Sequence, residues 1–160
     1  RLIAGSIGEI RSYVYQHNTG PIADFDFSAD RQHWIHRNAS DRGWPIKGKW
    51  SIWLEKNNPQ IIGPEGCWDA DKYPVMEITA AFRTNEPTAN IEFLPFDNGK
   101  KSVSKHVSFK VINDGKMHTY RVNLSDSPDY RGAIVKFSLL PCKKSGAGQF
   151  VKLKKIRLLR

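Results

Sequence analysis

Five tryptophans, at positions 34, 44, 50, 53 and 68, and a scattered set of arginines and lysines are the residues of this chain best equipped for recognition chemistry. An indole offers a broad apolar face with one N–H at its rim. An exposed indole beside polar groups therefore suits the flat C–H patches of sugar rings. Trp44 stands among Arg42, Gly43, Pro45 and Lys47, a turn-rich basic stretch in which a tryptophan is expected to remain exposed. Trp50 and Trp53 differ in parity, so on a regular strand one points inward and the other outward. Trp44 and Trp53 are the candidate contact aromatics.

The residue types of catalysis are present, but their spacing does not assemble them. Glycoside hydrolysis needs two carboxyl groups about 5–10 Å apart across the bond. Asp69 and Asp71 lie close in sequence, yet they sit in a turn-like stretch beside Lys72, where capping the turn explains them. Tyr120 and Arg121 are the base and neutraliser types of a lyase, but adjacent strand residues face opposite ways. His33 and His36 would share a face on a helix and diverge on a strand, and no third ligand is in register. There is no Gly-x-Ser-x-Gly, no glycine-rich phosphate loop and no zinc motif. No catalytic residue and no metal ligand is expected. Cys67 and Cys142 permit one internal pairing, which spacing leaves open. Asn38-Ala-Ser and Asn123-Leu-Ser match the glycosylation triplet.

The chain has 160 residues, enough for one domain with a core of its own. Its 25 Lys and Arg against 16 Asp and Glu give a net charge of +9. Such an excess attracts anions at long range: nucleic acid, an anionic membrane surface or an acidic polysaccharide. No apolar run approaches the roughly 20 residues of a membrane span. The chain opens at Arg1 without a methionine or a signal-like stretch, and is expected to be a mature protein or an excised domain.

Turn clusters cut the sequence into short pieces, among them Asn18-Thr-Gly-Pro, Lys56-Asn-Asn-Pro, Asp97-Asn-Gly, Asn113-Asp-Gly and Lys144-Ser-Gly. Between them the period is two. In Val75–Arg83, Met76, Ile78, Ala80 and Phe82 take one face, and Glu77, Thr79, Ala81 and Arg83 the other. Ile91 and Phe93 share a face, as do Val107, Phe109 and Val111, and Tyr120, Val122 and Leu124. Val135, Phe137 and Leu139 are expected together, opposite Ile134, Lys136 and Ser138. A last strand is expected over Phe150–Leu159, and earlier ones over residues 11–16, 23–27, 34–37 and 50–54. Residues 125–130 have room for one short helical turn. Lys152, Lys154, Lys155, Arg157 and Arg160 form a basic run interleaved with apolar residues, open to docking a polyanion but read first as an edge strand guarded by cations. The pattern predicts an all-β fold, an antiparallel β-sandwich or jelly roll.

Four stretches carry a resemblance. They are Trp68-Asp-Ala-Asp-Lys-Tyr-Pro-Val-Met-Glu-Ile, Asn113-Asp-Gly-Lys-Met-His-Thr-Tyr-Arg-Val-Asn-Leu-Ser, Tyr130-Arg-Gly-Ala-Ile-Val-Lys-Phe-Ser-Leu-Leu-Pro and Val151-Lys-Leu-Lys-Lys-Ile-Arg-Leu. With Phe25-Asp-Phe and Trp34 before them, their order resembles the galactose-binding-like β-sandwich modules appended to bacterial polysaccharide-degrading enzymes. The resemblance covers residues 22–159 and implies one domain over 1–160. It implies core positions for Trp34 and Trp68 and a structural role for His118. It also implies that Arg83, Arg121 and Lys136, from three segments placed in or near one sheet, form a basic groove for an acidic glycan. Lys154 stands where such modules often carry an Asp that can belong to a calcium site, so the resemblance gives calcium no support and no cofactor is expected.

The function implied is a non-catalytic carbohydrate-binding module for an anionic, uronate-containing or sulfated polysaccharide. It would be a monomer, secreted or held at the cell surface or periplasm, with a parent carbohydrate-active enzyme in the same chain and neither nucleic acid nor membrane as partner. The alternatives are a ligand-free structural domain of a polysaccharide-degrading enzyme and a small polysaccharide lyase.

Overall fold

The computed structural model describes residues 22–41, 43–97, 100–101 and 103–160; the strand expected at 11–16 lies outside them. Wherever β-branched and aromatic residues alternate with polar ones, the backbone is extended and one side of it is buried. The strands are β1 (Asp24–Asp26), β2 (Ile35–Arg37), β3 (Ser40–Asp41), β4 (Trp50–Trp53), β5 (Gln60–Ile62), β6 (Trp68–Asp69), β7 (Val75–Arg83), β8 (Thr88–Asp97), β9 (Lys100–Lys101), β10 (Lys105–Lys110), β11 (Met117–Asn123), β12 (Ala133–Leu140) and β13 (Phe150–Leu159). A short 3-10 turn at Leu124–Asp126 is the only helical element among the described residues.

Two antiparallel sheets result. Sheet I runs β11-β7-β13-β4-β3, with β1 beside β13. Sheet II runs β10-β8-β12-β5-β2, with β6 on β12 and β9 on β8. The expected all-β antiparallel sandwich is the observed fold. Between the sheets lie Met76, Ile78, Ala80 and Phe82 of β7, Val151, Leu153, Ile156 and Leu158 of β13, and Trp50 and Ile52 of β4. They meet Ile91 and Phe93 of β8 and Ile134, Phe137 and Leu139 of β12. Each of the larger side chains contributes about 2 kcal/mol by leaving water. Trp34 and Trp68 are both core residues at 2% exposure. Trp34 packs edge-on to Phe25 and Phe27, and the Trp68 indole N–H donates to the Ile22 carbonyl at 2.9 Å.

Two bulges overturn the simple alternation. In β12 the register steps from Ile134 opposite Pro95 to Lys136 opposite Leu94, so Val135 is an extra residue. Ile134 therefore joins Phe137 and Leu139 in the core, and Val135 lies half-buried outside it, the reverse of the expected assignment. In β13 Leu153 faces Ala80 and Lys155 faces Thr79, leaving Lys154 as the extra residue. Its carbonyl accepts the Phe27 N–H at 2.9 Å. Nor is this strand an edge. β13 pairs β7 on one side and β4 and β1 on the other, so its lysines guard no open ladder.

Candidate functional site

The outward face of sheet I gathers the polar half of the alternation, and antiparallel register aligns it in rows across the strands. One row is Arg83, Phe150, Trp53 and Ser40. The next is Met117, Ala81, Lys152 and Ser51. Thr119, Thr79, Lys155 and Asp26 follow, and then Arg121, Glu77, Arg157 and Asp24.

The rows differ in how their charges are matched. Arg157 lies between two carboxylates, with Nε 3.7 Å from Asp24 and Nη1 3.7 Å from Glu77. Arg121 stands directly opposite Glu77. Asp26, near Lys155 and Lys154, takes the Ser28 N–H at 3.0 Å, and hydrogen bonding from Ser28 holds its carboxyl below the usual range. This end of the face is a lattice of alternating signs.

The other end is aromatic and cationic. The rings of Trp53 and Phe150 meet edge to face at 5.7 Å. Lys152 Nζ lies 4.7 Å from the centre of the Phe150 ring and Arg83 Cζ 5.9 Å from it, both within cation–π range. Among the described residues neither cation is paired with a carboxylate.

A turn between β10 and β11 seats Arg83. Its Nη2 donates to the Asp114 carbonyl at 3.3 Å, and the Gly115 N–H donates to Phe82 at 3.0 Å. Gly115 is left-handed, at φ +72°, and a Cβ there would meet Arg83 Nη2 at 2.9 Å and Phe150 at 3.3 Å. Asp114 fastens the turn: its carboxylate takes the Lys116 N–H at 2.8 Å and lies 2.9 Å from His118 Nε2. Those two hydrogen bonds, the backbone one first, keep its carboxyl below the usual range. His118 thus holds a turn, and Asn113 adds a bond from its side-chain oxygen to the Thr84 N–H at 3.0 Å.

Of the residues singled out from sequence, Trp53, Arg83 and Arg121 share this face, Trp53 and Arg83 at one end and Arg121 towards the other. Trp50 is buried beneath, as parity required. Lys136 does not join them. It lies opposite Leu94 on the outer face of sheet II, across the sandwich, because β12 belongs to the other sheet. Trp44 is 67% exposed in the loop joining β3 to β4, preceding a cis peptide bond to Pro45, and so lies beyond the far end of β4 from Trp53. Phe150 was not among the sequence candidates, and Lys152 entered only as one of a C-terminal run of cations read as edge protection. Both are outward by parity, but only the pairing of β13 with β4 and β7 sets them beside Trp53 and Arg83.

The β3–β4 side of the site rests on Asp41. This buried carboxylate takes the Trp50 indole N–H at 2.7 Å, Arg31 Nε at 2.7 Å and the Gly43 N–H at 2.9 Å. Burial works against its charge. The bonds from Trp50, Arg31 and Gly43 together outweigh burial and leave its carboxyl below the usual range.

The catalytic types remain apart. The Tyr120 side chain points inward and accepts the Ile112 N–H at 3.1 Å, and burial pushes its phenol up, whereas Arg121 points out. Asp69 caps its own turn through the Asp71 N–H at 3.0 Å. Among the described residues no three His, Cys, Asp or Glu side chains gather to hold a metal ion. Cys67 is exposed, Cys142 is buried, and both are free. No helix among the described residues is long and apolar enough to cross a membrane.

No protein-family model and no curated protein matches the chain. Solved structures do. A family 11 carbohydrate-binding module from Clostridium thermocellum, in complex with a β-1,3-1,4-mixed-linked tetrasaccharide, superposes with a TM-score of 0.53 at 13% identity, over 87% of this chain and 97% of that one. The low-affinity xylan-binding module CBM86 from Roseburia intestinalis superposes with a TM-score of 0.51 at 12% identity, over 86% of this chain and 95% of that one. The chain also aligns with a glycoside hydrolase family 43 arabinoxylan arabinofuranohydrolase from Bacillus subtilis, at a TM-score of 0.44 and 12% identity, and spans only 24% of that protein's length. The fold is the β-sandwich found in carbohydrate-binding modules.

Proposed function

We propose that this chain is a non-catalytic carbohydrate-binding module that lays a polysaccharide on the outer face of sheet I and favours an anionic one. The observation that carries the proposal is the outward Trp53–Phe150 pair flanked by Arg83 and Lys152. The aromatic edges and faces receive the apolar side of a sugar ring, and Ser40 and Ser51, opposite Trp53 and Lys152 in register, supply hydroxyl partners. Two modules of similar fold bind a mixed-linked glucan tetrasaccharide and xylan, which supports a glycan over other ligands. In this reading the domain is carried outside the cell on a polysaccharide-active enzyme, and its modest affinity acts by raising the local concentration of the catalytic domain.

Affinity electrophoresis against neutral, uronate-containing and sulfated polysaccharides tests it. Retardation by an anionic glycan, relieved by salt and weakened by Trp53→Ala, is the expected result. A folded protein retarded by no member of the panel overturns the proposal in favour of a structural domain.

A further inference from the structure

On the reading of sheet I as the glycan-binding face, we infer that Arg83 and Lys152 form a subsite for an oxyanion borne directly on a sugar ring, with Phe150 as its base and the turn at residues 113–116 as its wall. The inference rests on a contrast within a single sheet face. Arg157 has two carboxylate neighbours, and Arg121 faces Glu77. Arg83 and Lys152 have no such neighbour among the described residues, yet both are drawn to one ring. The negative face of one phenyl ring offsets only part of the cost of two like charges gathered around it without a counter-ion. An anion within reach of both relieves the rest.

The two donors differ usefully. Arg83 spends part of one Nη2 on the Asp114 carbonyl, which fixes the guanidinium plane and leaves its other N–H groups available. Lys152 is a rotatable point charge. A fixed planar fork with an adjustable ammonium suits a carboxylate or a sulfate ester. Both cations lie within 6 Å of the ring centre, which puts an anionic group on the sugar that contacts the aromatic pair within their reach. Gly115 is a positioning residue here: its missing Cβ leaves the space that Arg83 and Phe150 occupy.

The probe is polygalacturonate beside its fully methyl-esterified form, which keeps the ring and removes the charge, with dextran sulfate and neutral xylan in parallel. Each is run by affinity electrophoresis on the wild type and on Lys152→Ala, Arg83→Ala, Arg121→Ala and Lys110→Ala, the last a charge control on β10 of sheet II. The expected result is an acid-over-ester preference that falls about tenfold in Lys152→Ala and in Arg83→Ala. It persists in Arg121→Ala and Lys110→Ala, which also keep neutral-glycan retardation. Preference for polygalacturonate assigns the anion as a carboxylate, and preference for dextran sulfate as a sulfate. Equal retardation by acid and ester with no response to dextran sulfate overturns the subsite while leaving glycan binding standing, as does an equal loss in Arg121→Ala. No retardation by any probe overturns both.

Discussion

At the scale of single residues, the buried polar groups are the points where stability is most exposed to change. The Tyr130 hydroxyl donates to the Tyr73 carbonyl at 2.6 Å, and burial pushes the phenol far up. Tyr130→Phe strands that carbonyl, and thermal unfolding should register a loss of about 1.5 kcal/mol, about 4 °C in Tm. Asp41→Asn removes the charge that Arg31 and Trp50 address and should cost about 2 kcal/mol at pH 7. Because the folded carboxyl of Asp41 is held below its unfolded value near 3.8, its contribution is present above that pH and disappears as the pH falls through the lower folded value. Urea melts of both proteins between pH 7 and pH 3 should therefore converge on acidification. Gly115→Ala places a side chain on a left-handed backbone against Arg83, and a denaturant titration should show about 1–2 kcal/mol lost. Much at this scale was legible early: the opposed parity of Trp50 and Trp53, the capping role of Asp69 and the core role of Trp34. Phe150 was not, and Lys152 stood out from the other C-terminal cations in nothing, because the significance of both depends on which strands flank β13.

At the scale of elements, strict alternation predicted β7, β8, β10 and β11 with their faces correct, since those strands run without interruption. It failed where the chain carries one residue more than the ladder accepts. Val135 and Lys154 are both such insertions, and no residue type announces them. The C-terminal cations looked like edge protection for the same reason that any charged strand does; composition cannot distinguish an edge from the outward side of a central strand covered on one face only. The short strands β3, β5, β6 and β9 have too few residues to show a period. Deletion of Lys154 makes Leu153 and Lys155 consecutive and keeps every later side chain on its present face. The variant should fold, weakened by about 1–3 kcal/mol for the lost bond to Phe27 and local strain, as read by a urea midpoint with unchanged slope.

At the scale of the whole molecule, the net charge of +9 pointed towards polyanions but said nothing of where the positive charge is left unmatched. Folding decides that, by placing Glu77 and Asp24 beside some cations and none beside others. It also separates Lys136 from Arg83 by the full thickness of the sandwich, which is why a groove built from all three does not exist. Raising ionic strength should weaken retention of an acidic glycan steeply and that of a neutral glycan hardly at all, a difference that a salt series in affinity electrophoresis measures directly.

The unequal matching of charge across sheet I also gives the face a direction. On the proposed reading, a polymer laid across it would pass from an end where cations stand unmatched beside aromatic rings to an end where Arg157, Glu77 and Asp24 cancel one another.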